Sequence, residues 1–102
     1  MQLVEPTDFD ILGYLQSNGR NNAVNLAVAL DRERTYMNTR LRTLCELGCT
    51  QRVGPAKNSG LYEITSVGVA ALQYRSANKD PDVDFLELIH EAAEASPDES
   101  VQ

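Results

Sequence analysis

Arg34, Thr35, Asn38, Thr39 and Arg42 lie in one stretch, 33–47, off a stripe of apolar residues that recurs with helical spacing. Their side chains suit one kind of chemistry. A guanidinium can take a guanine edge through two hydrogen bonds, and a carboxamide can do the same for adenine. Threonine hydroxyls and methyls suit phosphate oxygens or a thymine. The stripe itself, Met37, Leu41, Leu44 and Cys45, would anchor such a helix to a core. The competing reading is the solvated face of an ordinary helix.

A second constellation is weaker. Cys45 and Cys49 stand four residues apart and His90 is the one histidine. Structural zinc asks for four ligands, which this set does not supply. A buried free cysteine behaves as a small hydrophobe, so no metal or other cofactor is expected. For catalysis the chain offers no phosphate-cradling glycine loop, no Ser-His-Asp order and no HExxH motif. The acidic pairs Asp8/Asp10 and Asp82/Asp84 fall at helix starts, where capping and the helix dipole account for them. An enzyme is not expected.

The chain has 102 residues, 42% hydrophobic and 24% charged, which suits one modest globular core rather than a disordered chain. No apolar run approaches the roughly 20 residues that span a bilayer. No secretory start is visible, so the two cysteines point to a reducing cytoplasm. The net charge of −6 conceals an uneven distribution. Residues 20–57 carry seven cations against three acids, a net +4, between an N-terminal flank of −3 and a C-terminal stretch of −7. A local positive field can hold phosphates on an acidic molecule. Seven arginines against two lysines, with acids in excess, also fit a halophile's cytosol.

The elements that would position these groups follow from periodicity and punctuation. Residues 8–17 predict a helix capped by Thr7, with Ile11, Leu12 and Leu15 buried and Gly19 closing it. Residues 23–30 predict a second helix capped by Asn22, with Leu26, Ala27 and Leu30 inward. The third helix, 33–47, ends at Gly48. Strands at 50–54 and 61–65 flank the turn-forming Pro55–Gly60 and predict a hairpin. A fourth helix over 66–77 packs through Val69 or Ala70, Leu72 and Tyr74. A linker, Ser76–Pro81, precedes a fifth helix, 82–94, with Val83, Leu86, Ile89, His90 and Ala93 on one face. The tail from Ser96 to Gln102 is expected to be disordered.

Three helices, a β-hairpin and a further helix describe a mainly α fold, the winged helix-turn-helix, in which the third helix enters the major groove. Asp31–Leu44 with Glu46-Leu47-Gly48, then Arg52-Val53-Gly54, then Gly60-Leu61-Tyr62-Glu63-Ile64-Thr65 and Gly68, resembles the small haloarchaeal winged-helix proteins related to the phi-H phage repressor, and more broadly the MarR-type regulators. The resemblance covers roughly residues 7–75. One departure is Cys49-Thr50, where that family usually has an apolar pair.

The resemblance implies a cytoplasmic regulator of transcription, a repressor, on double-stranded DNA. The fifth helix, behind a complete winged helix, has an apolar face to cover, and pairing with its copy in a homodimer would do so; the competing reading is that it folds back onto its own domain. The expected contacts are Arg34, Thr35, Asn38, Thr39 and Arg42 from the third helix, and Arg52, Lys57 and Asn58 from the wing, 50–65. Arg32 is grouped with them. Tyr36 can bond a phosphate or seal the domain edge, and Arg40 can point back to the second helix or the wing. The expected division is a DNA-binding domain at 1–77, a linker and dimerisation helix at 78–95, and an acidic tail at 96–102. The rival class is a winged helix that meets a basic protein through its acidic surface, without specific DNA binding.

Overall fold

The computed structural model describes residues 3–55 and 60–95. Helix α1 spans Thr7–Asn18, α2 Ala23–Leu30 and α3 Arg34–Glu46. Strands β1, Thr50–Arg52, and β2, Tyr62–Ile64, form the hairpin. Helix α4, Ser66–Gln73, a 3₁₀ turn at Arg75–Lys79 and α5, Phe85–Glu94, complete the chain. The architecture is mostly helical with one antiparallel hairpin, as the sequence predicts.

Local chemistry explains most boundaries. Asn22 caps α2 by accepting from the Asn25 N–H at 2.9 Å. Thr7 does not cap α1. It is buried inside the first turn, and Pro6 stands at the cap position without a side-chain bond. The Asp8 carboxylate turns back instead to accept from the Val4 N–H at 2.8 Å. Gly48, with φ +88°, closes α3 in the left-handed region that suits glycine.

The wing is shorter than predicted. Thr50 faces Ile64, Gln51 faces Glu63 and Arg52 faces Tyr62. The Val53 N–H, donating to the Leu61 carbonyl at 3.0 Å, carries the pairing one step past the ladder. Asn21, just before α2, exchanges backbone bonds of 3.0 and 2.9 Å with Tyr62 and so flanks β2 on its other edge. Thr65 ties the wing to the helices. Its hydroxyl donates to the Gly48 carbonyl at 2.6 Å and accepts from the Gly68 N–H at 3.2 Å. Gly68 is required by close approach, because a Cβ there would lie 2.3 Å from the Cys49 carbonyl oxygen. Cys49 and Thr50 are both buried, so they fill the space of the apolar pair they replace.

The core gathers Phe9, Ile11, Leu12 and Leu15 from α1, Leu26 from α2, and Met37, Leu41 and Leu44 from α3. Tyr62, Ala70, Ala71, Phe85 and Ile89 close it from the other side. Tyr74, expected to pack, is exposed instead.

The C-terminal third differs most from expectation. The linker is a 3₁₀ turn built into the body. Asn78 is buried, accepts from the Leu3 N–H at 2.9 Å and donates to the Leu3 carbonyl at 3.0 Å. Arg75 pairs with Glu5 at 2.7 Å and lies 4.8 Å over the Phe9 ring. Helix α5 folds back onto α4. Phe85, which the face reading passed over, meets Phe9 edge to face at 6.1 Å. Ile89 is wholly buried in its own chain, and α5 packs with α4 against the same core. The physical reason is that Phe85 and Ile89 supply apolar volume that the small core lacks without them. The expected disordered tail, 96–102, lies outside the described residues.

Two outcomes follow. A chain ending at Lys79 loses Phe85 and Ile89, each worth about 2–5 kcal/mol of core, against a total stability of about 5–15 kcal/mol. It should lose its cooperative melt by circular dichroism rather than become a folded monomer. Arg75, by hydrogen bonding, holds the Glu5 carboxyl below its ordinary value of 4.5. That stabilisation is fully present above the unfolded-state value and is lost as pH falls through the lowered one. Glu5→Gln should therefore lower the urea midpoint at neutral pH, and the gap from wild type should close under acid.

Candidate nucleic-acid interface

Helix α3 is two-sided. Met37, Leu41 and Leu44 are fully buried, while Arg34, Thr35, Tyr36, Asn38, Thr39 and Arg42 are all exposed. The sequence-predicted contact residues of this helix therefore share an open surface. The Thr39 hydroxyl donates to the Thr35 carbonyl at 3.1 Å, which leaves its methyl and lone pairs to face outward. Tyr36, at 38% exposure, stays available rather than sealing an edge.

The arginines divide by partner. Arg32 donates to the Leu30 carbonyl at 2.7 Å and to Asp10 at 3.0 Å, which draws it back towards α1 and away from the contact group. Arg40 also points back, but to α1 rather than to α2 or the wing. Its Nε and terminal nitrogen each reach Asp8 at 2.8 Å. Asp8 is fully buried, and its hydrogen bonds to Arg40 raise the guanidinium's pKa further. Asp8 and Asp10, assigned from sequence to capping, are thus the acceptors of these two arginines. Among the described residues no carboxylate pairs with Arg20, Arg34 or Arg42.

Arg52 is exposed on β1. Its Nε donates to the Tyr62 hydroxyl at 3.3 Å and its guanidinium lies 5.7 Å from that ring's centroid. The tyrosine bond raises its pKa, so the wing carries a fixed cation. Lys57 and Asn58, the wing-tip candidates, lie outside the described residues. A cleft of about 250 Å³ joins the start of α2, the face of α3 and the end of the wing, lined by Asn22, Ala23, Val24, Arg34, Asn38 and Gly60. Sequence reasoning found Arg34 and Asn38 but not Val24 or Gly60 beside them. Nothing in the local pattern of α2 shows that its first turn stands next to α3's outer face.

The cysteine–histidine constellation comes apart. Cys49 is buried, and loss of solvation, with the Asp8 charge second, pushes its thiol up to about 12. His90 Nε2 lies 3.0 Å from the Leu47 carbonyl oxygen at the end of α3. Among the described residues no group of three or more His, Cys, Asp and Glu side chains could hold a metal.

A family model described as winged helix-turn-helix DNA-binding matches residues 4–53, from the segment before α1 through β1. The fold is a winged helix-turn-helix. The match supports a DNA-binding regulator and points away from an enzyme. No curated protein and no solved structure matches the chain. No helix among the described residues is long and apolar enough to cross a membrane.

The cysteine environments make one outcome measurable. Under native conditions a thiol reagent should titrate at most one cysteine quickly, the half-buried Cys45, and reach Cys49 only on unfolding. Two fast thiols would contradict the burial of Cys49.

Proposed function

We propose that the chain is a sequence-specific regulator of transcription that lays α3 in the major groove and β1–β2 on the flanking backbone or minor groove. The observation that carries this reading is the open face of α3, with Arg34, Asn38 and Arg42 paired with no carboxylate among the described residues, on a helix whose other face is locked into the core. Arg34 and Asn38 suit base edges, and Arg42, Thr35 and Thr39 suit bases or phosphates. Tyr36 adds a phosphate donor. Arg52 on the wing, with Lys57 and Asn58, would hold the adjacent strand.

A single recognition helix reads few base pairs, and two copies on a two-fold site would supply the specificity that one lacks. We therefore include homodimerisation in the proposal, with repression by occupying a promoter. The half-buried Val83 and Ala93 and the exposed His90 are the part of the expected contact face that lies outside the core, with the half-buried Leu86 at its edge. The likeness to haloarchaeal phi-H-type repressors favours a cytoplasmic, halophilic setting.

Arg34→Ala and Arg42→Ala should each weaken binding to a selected duplex by about 1–3 kcal/mol, with the melting temperature unchanged. Arg32→Ala should instead lower the melting temperature, because its guanidinium holds the turn before α3. Fluorescence anisotropy and thermal melting on the same proteins separate the two effects. Undiminished affinity of both α3 variants for every duplex tested would leave the protein-interaction reading standing.

A further inference from the structure

We propose that Arg40 is a positioning residue for base reading, whose two-pronged bond to the buried Asp8 carboxylate fixes the rotation of α3 about its own axis. The inference rests on the reading of α3 as the DNA-facing helix, and it deepens that reading.

The rest of the seam, chiefly against α2 and β1, is apolar packing along the helix. Met37, Leu41 and Leu44 hold α3 by apolar contact, which resists separation better than it resists rolling. A rotation of about 10° moves a side chain at the roughly 5–6 Å outer radius of a helix by about 1 Å. That exceeds the roughly 0.5 Å tolerance of a constellation built to read fixed partners. Something directional is needed on the inward side, and the Asp8–Arg40 pair has that property. Arg40 Nε reaches one carboxylate oxygen and its terminal nitrogen the other, both at 2.8 Å, so the guanidinium plane is fixed. The acceptor is itself held, because the same carboxylate takes the Val4 N–H at 2.8 Å and sits in the first turn of α1 with no exposure.

Stability alone gives little reason for the pair. An apolar pair of similar volume holds a buried seam at least as well as two desolvated charges. Arg32, bonded to Asp10 through one nitrogen and about a third exposed, tethers the preceding turn without fixing an angle. Among the described residues, only Arg40 joins the body of α3 to α1 through two parallel bonds.

Arg40→Lys is the sharp test, because it keeps the charge facing Asp8 and removes the planar fork. Duplexes selected from a random pool by the wild-type chain are compared with scrambled ones. Arg40→Lys should hold the scrambled duplex within about twofold of wild type and lose about tenfold of the discrimination between the two, with an unchanged salt slope. Equal weakening on both duplexes with a shallower salt slope would make Arg40 a phosphate ligand and overturn the proposal. Wild-type discrimination in the variant would overturn it as well. Residual dipolar couplings of α1 and α3 amides, measured without DNA, separate this claim from the functional one. A rotated or more widely distributed α3 is expected in Arg40→Lys, and an α3 indistinguishable from wild type sinks the positioning role. If the wild-type chain selects no duplex, the DNA reading falls while the couplings still decide the role of Arg40. Asp8→Glu, which keeps both charges and lengthens the acceptor arm, carries the same readouts should the lysine variant not fold.

Discussion

The seam between α3 and the core carries the demand on which the rest of the molecule depends. A helix that is to offer one face to a partner must be gripped entirely by the other. Met37, Leu41 and Leu44 provide the grip by burial, and the Asp8–Arg40 pair gives it direction. Placing two charges in that seam requires every donor and acceptor to be matched, and Asp8 meets this with Arg40 on both oxygens and Val4 on one. The remaining elements serve the same end. Thr65 and Gly68 bring the wing against the end of α3, and α5 closes the core behind it.

The pairing pattern also changes how the charge of the chain is understood. Counted along the sequence, the middle segment is a basic block flanked by acids. In three dimensions Asp8 and Asp10 fold onto that block and take Arg40 and Arg32, while Glu5 takes Arg75 outside it. The segment's positive field therefore comes from fewer arginines than the count implies. Arg34 and Arg42 stand on the outer face of α3, and Arg52 is held at the wing by Tyr62 rather than by a carboxylate. A smaller set of well-placed cations favours directed contacts over diffuse attraction to phosphates.

Much of this was legible in the sequence where local rules govern. The apolar stripe of α3, the Asn22 cap, the glycine after α3 and the hairpin all follow from spacing and turn chemistry. So did the exposure of Arg34, Asn38 and Arg42, because residues off a buried stripe face solvent. What escaped depends on partners distant in sequence. Arg32 looks the same as Arg34 until α1 is placed beside it. Asp8 and Asp10 look like first-turn acids until the arginines arrive. The fifth helix has an apolar face that fits its own body as well as a second chain, and Phe85 seated on Phe9 shows that part of the helix goes to the body. The segment Ser76–Pro81 has the composition of a linker, yet one asparagine within it has a buried backbone to satisfy.

That asparagine has a consequence for how the molecule comes apart. By matching both backbone polar groups of Leu3 across 75 positions, Asn78 closes the first three-quarters of the chain into a loop. Such a contact raises the contact order and forms only after the ends have found each other. Once made, it denies proteases a frayed start and binds the opening segment and the later helices into a single cooperative unit. The region that would read DNA thus sits in the middle of a clasped ring, and it cannot loosen at one end without the other giving way.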